Sequence, residues 1–239
     1  MAPPRIDLAR YAYAHRGLWS EGAPENSLAA FRAAAAAGLG VELDVRMTRD
    51  GELVVFHDST LERMCGSPKH IAEINFVELR GFRLPDGSRI PILREALEAM
   101  NGLPTLIEVK IDPPNRRILP LIIEYMNQSA APATLMSFDE PSVWRMATLM
   151  PERQIGQLIE PLDDLGPHGV AQKAARARNL NCAYLAPHHS SLAAVRDAGP
   201  LVTWTIRTEN ELAIARKHGA AAIFEGLKPA LAIPGRTPI

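Results

Sequence analysis

The chain has 239 residues, of which 47% are hydrophobic and 22% are charged, and its formal net charge is -1. This length and apolar content suffice for one or two domains with a sizeable core. A net charge near zero excludes the overall basic surface of a nucleic-acid-binding domain, so we expect no nucleic-acid partner. The two cysteines, Cys65 and Cys182, lie far apart in sequence, which favours two thiols over a disulfide framework or a zinc site.

Hydrophobic segments are short throughout the sequence. No stretch approaches the roughly 18 apolar residues of a membrane span. The first residues also lack an apolar segment of signal-peptide length. We therefore expect a cytoplasmic location and no stable membrane association.

Short apolar runs alternate with stretches of helical periodicity, and each run predicts a strand. This alternation favours a parallel sheet covered by helices. Eight repeats favour a closed barrel over an open doubly wound sheet, so we predict an α/β fold of the TIM (β/α)8 type. The eight runs are YAYAH (11–15), GVELDVRM (40–47), TLIEVKI (105–111), ATLMSF (133–138), QIGQLIE (154–160), CAYLAP (182–187), LVTWTI (201–206) and AAIFEG (221–226).

Helix signals stand between most of these runs. The first helical stretch, residues 24–38, opens with the candidate caps Asn26 and Ser27 and stops at Gly38. The other helical stretches are residues 113–130, 140–150, 169–179, 190–199 and 208–219.

Residues 58–91 break this alternation, because they are turn-rich and carry only a short helical pattern around IAEINFVELRG (71–81). Insertions in the βα connections of a barrel collect at its C-terminal face, where active sites lie. We therefore predict a small lobe inserted after the second βα region, over the mouth of a pocket. No composition shift indicates a second domain, so residues 1–239 are expected to form a single barrel domain.

The second predicted strand carries two acids on one face. Successive strand residues point to opposite sides, so Glu42 and Asp44 project together while Leu43 packs the other way. Two neighbouring carboxylates repel each other and are driven toward neutrality unless they share a cation. A hard divalent metal is the natural cation for such oxygen ligands.

The third predicted strand repeats this pattern with Glu108 and Lys110. Glu108 would complete a three-carboxylate site, and Lys110 would balance its charge or reach a phosphate oxygen. The alternative is that these acids only form ion pairs with Arg46 and Lys110 inside the barrel.

Two histidines flank the acids at predicted strand ends. His15 ends the first strand, and His57 ends the short run ELVVFH (52–57). An imidazole in this position is suited to general acid or base catalysis, and two of them suggest one proton donor and one acceptor. Arg16 offers a fork of donors that suits a phosphate. For His188 and His189, which follow the sixth strand, an approach to the pocket rim stays open.

These residues resemble the glycerophosphodiester phosphodiesterase family. The likeness covers nearly the whole chain, and its first 60 residues are the most specific part. It runs through HRG (15–17), PENS (24–27), E-x-D (42–44), DG (50–51), HD (57–58), E-x-K (108–110), SF (137–138) and WT (204–205).

The resemblance implies metal-dependent hydrolysis of a small-molecule phosphodiester to sn-glycerol 3-phosphate and an alcohol, on a TIM barrel with a small inserted lobe. It implies one divalent ion, Mg²⁺ or Ca²⁺, and acid–base catalysis by two histidines. The implied residues are Glu42, Asp44 and Glu108 for the metal, His15 and His57 for proton transfer, Arg16 and Lys110 for the phosphate, and Phe138 and Trp204 for the leaving-group pocket.

Three stretches depart from the family's pattern. Arg207 stands where Asn is usual after the WT strand, Glu225 stands in place of the usual Thr-Asp pair, and ERMCGS (62–67) replaces R-T-T-N-G. All three lie where substrate choice is expected. We expect Arg207 to contact the substrate at the pocket rim and to favour a more anionic diester.

Two alternative functions remain open. A phospholipase D-like or phosphoinositide-cleaving enzyme on the same barrel would need an apolar rim facing a membrane, and residues 71–79 offer a modest apolar cluster. A catalytically silent barrel would only bind phosphodiesters, but it would have no use for two proton carriers. The sequence also leaves open a homo-oligomer.

Overall fold

The computed structural model describes residues 5–19, 22–111, 116–162, 182–195 and 199–235, with residues 165, 169, 172, 175, 176, 179 and 180 between them. Within these residues, no helix combines the length and the apolar character needed to cross a bilayer.

Eight parallel strands form a nearly closed ring, in the order β7-β6-β5-β4-β2-β1-β9-β8. Bridges from Leu185 to Leu201 and from His188 to Trp204 bring β7 alongside β8. The short β3 lies antiparallel to the end of β2. The predicted (β/α)8 barrel is thus confirmed. The strands are β1 (Tyr13–His15), β2 (Gly40–Met47), β3 (Leu53–Val55), β4 (Thr105–Val109), β5 (Ala133–Ser137), β6 (Ile155–Ile159), β7 (Tyr184–Pro187), β8 (Val202–Ile206) and β9 (Ala221–Phe224).

Helices pack around the outside of this ring. The predicted helix at 169–179 lies largely outside the described residues. The described helices are α1 (Leu28–Ala36), α2 (Glu62–Cys65), α3 (Phe76–Leu79), α4 (Leu93–Ala99), α5 (Ile118–Gln128), α6 (Glu140–Leu149), α7 (Leu192–Val195), α8 (Glu209–Lys217) and α9 (Pro229–Ala232), with single 3-10 turns at Leu8–Arg10, Ile71–Glu73 and His189–Ser191.

Helix α1 begins at the second of its two candidate caps. The Ser27 hydroxyl accepts a hydrogen bond from the Ala30 amide at 3.1 Å, which satisfies one of the unpaired donors of the first turn. Asn26 adopts a left-handed conformation with φ 55° and turns its side chain away from the helix, toward β2. The cap and the adjacent residue therefore have different partners, one in the helix and one in the barrel.

The hydrophobic core has two layers. Val41, Leu43 and other outward-facing strand residues pack against the helices. Tyr13, Tyr184 and their neighbours fill the interior of the barrel instead. Each of these rings lies against a glycine paired with it on the adjacent strand, Gly40 beside Tyr13 and Gly156 beside Tyr184. The floor of the barrel is therefore filled, and the polar strand ends face a cavity above it.

The inserted lobe (residues 58–91) has a small hydrophobic cluster of its own, which continues from β3. Residues 71–81 form a 3-10 turn and the four-residue helix α3 instead of the single short helix that the sequence predicts, because Ile74 and Asn75 between them are extended. Ile71, Ile74 and Leu79 are buried inside the lobe, whereas Val77 is 83% exposed. Most of the predicted apolar cluster therefore packs inward.

Candidate active site

Three carboxylates meet inside the barrel at the level where the strands end. Glu42 and Asp44 both point inward from β2 and are nearly inaccessible to solvent. Glu108 of β4 is paired in register with Asp44. One ligand oxygen from each of the three lies within 4.8 Å of the others, so the structure brings the predicted metal ligands together.

Two cations lie against Asp44. The Lys110 ammonium is 2.9 Å from Asp44 Oδ1 and 2.7 Å from Glu108 Oε1. Arg16 Nε is 3.4 Å from Asp44 Oδ2. Burial alone would raise the pKa of Asp44, but Lys110 and Arg16 hold that pKa well below its usual range. Asp44 is therefore ionised.

Glu42 has weaker partners than Asp44. It accepts a hydrogen bond from the Arg16 amide at 3.2 Å, and the nearest imidazole nitrogen, His15 Nε2, is 3.9 Å away. Burial, together with the charges of Asp44 and Glu108, raises the pKa of Glu42 well above its ordinary value. Burial also raises the pKa of Glu108, although Lys110 opposes the shift.

The site thus concentrates more acidic groups than its own cations neutralise. The donors are all carboxylate oxygens, which are the ligands that Mg²⁺ and Ca²⁺ prefer. A divalent ion would allow all three groups to ionise together. The donor set, its burial and its charge therefore fit the predicted metal.

Each of the two predicted histidines is held by a carboxylate. His15 Nδ1 lies 2.6 Å from Glu225 Oε2, and His57 Nδ1 lies 2.7 Å from Asp58 Oδ1. Burial lowers the pKa of His57, and the charge of Asp44 opposes this shift. An ionised carboxylate only accepts hydrogen bonds, so Nδ1 of each ring carries the proton and Nε2 is left for other contacts.

A cavity of about 320 Å³ opens beside these groups. Phe138 and Trp204 meet edge to face at its rim, with their ring centres 5.5 Å apart. His15, Arg16, Glu42, His57, Glu108, Lys110 and Arg207 line its polar side, and Met136, Phe138, Leu158, Trp204 and Ile223 line its apolar side.

The structure adds residues that the sequence reasoning did not single out as site residues. The Asn26 amide donates to Asp44 Oδ2 at 2.8 Å, and Glu25 accepts from Arg16 at 2.9 Å. Glu25 and Asn26 belong to the PENS stretch, which is one of the motifs shared with the family. That motif was the signal in the sequence that could have identified them as site residues. Asn26 and Arg16 both have φ near 55°, an unusual conformation for residues other than glycine that often marks functional sites.

Of the two histidines after β7, His188 lies at the rim of the cavity and His189 does not. The His188 ring centre lies 5.2 Å from that of Trp204. His189 lies farther along, with Nε2 3.7 Å from Glu211 at the start of α8.

The fold and the site together define a class of protein, a (β/α)8 barrel with a buried acidic cluster between two imidazoles at the strand ends. The profile of the Glycerophosphoryl diester phosphodiesterase family matches residues 15–225. The chain therefore belongs to this family.

Individual relatives agree with this membership. A glycerophosphodiester phosphodiesterase from Caldanaerobacter subterraneus is 30% identical over 162 residues, which are 62% of this chain and 65% of the relative. Human glycerophosphodiester phosphodiesterase 1 is 40% identical over 112 residues, 41% of this chain and 33% of the relative. The matched segments thus span less than two thirds of these relatives.

Solved structures match over more of the chain. A phosphodiesterase from Oleispira antarctica, in complex with the product sn-glycerol-3-phosphate, is 26% identical with a TM-score of 0.77, over 90% of this chain and 92% of the other. A putative glycerophosphoryl diester phosphodiesterase from Agrobacterium tumefaciens is 24% identical with a TM-score of 0.80, over 95% and 96%. The second likeness shows the shared fold.

Proposed function

We propose that this protein hydrolyses glycerophosphodiesters to sn-glycerol 3-phosphate and an alcohol, with the help of one divalent metal ion. The observation that carries the proposal is the placement of two carboxylate-held imidazoles beside three buried acids in one cavity. Family membership and the product bound to the Oleispira phosphodiesterase support the same reaction.

The acids, with the cations beside them, would bind the phosphate group. Glu42, Asp44 and Glu108 would hold Mg²⁺ or Ca²⁺, which when bound supplies charge neutralisation and orients an in-line displacement. Arg16 and Lys110 line the cavity and are proposed to bind the non-bridging phosphate oxygens. The metal ion and the two cationic side chains would then all lie close to the phosphate group.

The histidines would move the protons. The nucleophile is a water molecule or the glycerol 2-hydroxyl, and its proton passes to Nε2 of one ring as the oxygen–phosphorus bond forms. With the 2-hydroxyl as nucleophile, the first product is a cyclic phosphate, and a water molecule opens it to glycerol 3-phosphate in a second displacement. The bond from phosphorus to the leaving oxygen breaks, and that oxygen takes a proton from Nε2 of the other ring, which must enter the step as an imidazolium with a proton on both nitrogens. Phe138 and Trp204 would form the wall against which the leaving alcohol lies.

The same observations weigh on the alternatives. A membrane-active phosphoinositide or phospholipase D-like enzyme would need a set of exposed apolar residues at the rim. In the apolar cluster of the lobe, Ile71, Ile74 and Leu79 are buried, and Val77 is exposed. A silent binding barrel does not explain why both imidazoles are oriented by acids. We therefore propose a small-molecule substrate, a cytoplasmic location, and one barrel domain over residues 1–239 with the lobe at 58–91 inside it.

A panel of glycerophosphodiesters tests this function. We expect release of glycerol 3-phosphate that stops with EDTA and returns with added Mg²⁺ or Ca²⁺, and we expect soluble diesters to be preferred over phospholipid vesicles. Metal-dependent release from none of the soluble diesters would overturn the proposal. Phosphorus NMR during turnover would show a cyclic phosphate if the glycerol hydroxyl attacks first.

Substitution of the histidines tests the mechanism. His57→Ala and His15→Ala should each lower kcat by about 10²–10⁴-fold, because each variant loses one proton transfer. Metal binding, followed by calorimetry, should survive in both variants. The matched control is His70→Ala, which removes an exposed imidazole from the lobe. Full turnover in His57→Ala would contradict the two-histidine mechanism.

A further inference from the structure

The two departures Arg207 and Glu225 are in contact with each other. Glu225 Oε1 accepts a hydrogen bond from Arg207 Nε at 2.6 Å, and Glu225 Oε2 lies 2.6 Å from His15 Nδ1. One carboxylate thus connects a guanidinium to an imidazole, with a separate oxygen for each.

The second histidine has the same arrangement. Asp58 Oδ1 lies 2.7 Å from His57 Nδ1, and Asp58 Oδ2 accepts from Arg63 Nε at 2.6 Å. In both cases, Nδ1 of the imidazole contacts a carboxylate, and the other oxygen of that carboxylate accepts a hydrogen bond from Nε of an arginine. The same chain of imidazole, carboxylate and guanidinium occurs at both histidines. This indicates that Glu225 orients His15 and does not merely form a surface ion pair with Arg207.

The fold brings the three residues together from three adjacent strands. His15 ends β1, Glu225 follows β9, and Arg207 follows β8. Parallel pairing of β1 with β9 puts Ala14 beside Phe224, so His15 and Glu225 are the next residues on their strands. Only 16% of the Glu225 side chain is exposed, whereas 56% of the Arg207 side chain is exposed.

We propose that Glu225 is a positioning residue for His15, and that Arg207 acts by holding Glu225 rather than by selecting anionic substrates. The Glu225 carboxylate keeps the proton of His15 on Nδ1, which leaves Nε2 for the cavity. Arg207 fixes the other oxygen of this carboxylate and so limits its rotation. This inference rests on the proposed function for its catalytic consequence.

Kinetics of single variants provide the first test. Glu225→Gln should lower kcat about 10–100-fold with KM changed less than about twofold, a loss typical of residues that orient a catalytic group. Glu225→Asp, which keeps the charge, should recover part of the activity. The matched control is Glu209→Gln, which removes an exposed acid two residues after Arg207. Unchanged kcat in Glu225→Gln would overturn the proposal.

Arg207→Gln separates positioning from substrate selection. If Arg207 acts through Glu225, this variant should lose the same factor in kcat/KM on glycerophosphocholine and on a more acidic diester. The double variant with Glu225→Gln should be no slower than Glu225→Gln alone, because both changes remove one coupled interaction. A loss confined to the acidic diester would overturn the assignment.

An NMR measurement tests the positioning without turnover. In ¹⁵N-histidine-labelled protein at about pH 8.5, where an ordinary imidazole is neutral, long-range ¹H–¹⁵N spectra distinguish the two tautomers. His15, assigned by loss of its signals in His15→Ala, should carry its proton on Nδ1 in the wild type and on either nitrogen in Glu225→Gln. An Nε2 proton in the wild type would refute the positioning, whereas wild-type inactivity with the expected spectrum would refute only the proposed function.

Discussion

Asp44 and Glu42 lie two positions apart on one strand, yet their pKa values are shifted in opposite directions. Both are buried, but Asp44 contacts Lys110 and Arg16, whereas Glu42 faces other acids and an imidazole. The pKa of Asp44 is lowered and that of Glu42 is raised. In the metal-free protein, therefore, Glu42 holds a proton at pH values where Asp44 is ionised.

Metal affinity should consequently depend on pH. Below its raised pKa, Glu42 is protonated, so a metal ion must displace that proton in order to bind. We expect the affinity for Mg²⁺ or Ca²⁺ to fall as the pH is lowered through the raised pKa of Glu42. Calorimetry in two buffers of different ionisation enthalpy would show proton release on binding.

Glu42→Gln should remove this proton release and weaken binding by at least about tenfold, because one anionic ligand is lost. The control is Glu98→Gln, which removes an exposed acid from α4. A metal affinity that does not weaken as the pH is lowered would contradict the expected protonation of Glu42.

At the scale of elements, an arginine of the inserted lobe connects the lobe to the site. Arg63 of α2 donates to Asp58 at 2.6 Å and to Glu25 at 2.7 and 2.9 Å. Glu25 in turn accepts from Arg16, which lines the cavity. The lobe thus supports the orientation of both His57 and Arg16.

Arg63→Ala should reduce catalysis more than stability. We expect kcat/KM to fall by roughly tenfold, because His57 and Arg16 would be held less firmly in position. The free energy of unfolding should fall by about 1 kcal/mol or less, since these contacts are half exposed. Arg83→Ala is the control, because Arg83 lies in the same lobe and donates to the carbonyls of Arg80 and Phe82. Equal losses in both variants would contradict a specific connection.

Some of the helices, strands and contacts could be predicted from the sequence, and others could not. Strands were predictable because each is a short apolar run, as expected of parallel strands buried on both faces. The cap at Ser27 was one of the two candidates that the sequence offered. Helix α4 (Leu93–Ala99) was missed, although Leu93, Ala96 and Leu97 have helical spacing and are buried. The pairing of Glu225 with Arg207 and His15 depends on which strand ends are adjacent, and no local pattern carries that information.

At the scale of the whole molecule, the barrel depends on a match of large and small residues in its interior. The rings of Tyr13 and Tyr184 fit because Gly40 and Gly156 face them on the neighbouring strands. The number of barrel strands could be predicted from the sequence, but this match could not. Gly156 and Tyr184 are far apart along the chain and meet through the register of β6 and β7.

Gly156→Ala should destabilise the barrel by about 1–3 kcal/mol, the usual cost of overpacking a core. An added Cβ would overlap the buried Tyr184 ring, which has neighbouring strands on both sides. Chemical denaturation would measure the change. Adding Tyr184→Leu should cost less in the Gly156→Ala background than in the wild type, because the smaller side chain relieves the overlap. Strictly additive effects would show that the ring is not the cause.

The filled floor also closes the cavity on the side away from the strand ends. A molecule beside Glu42 would therefore leave on the side where the strands end. For the proposed hydrolysis, the alcohol and the phosphate ester would then both depart on that side. Accumulated glycerol 3-phosphate would consequently compete with fresh diester for the same passage.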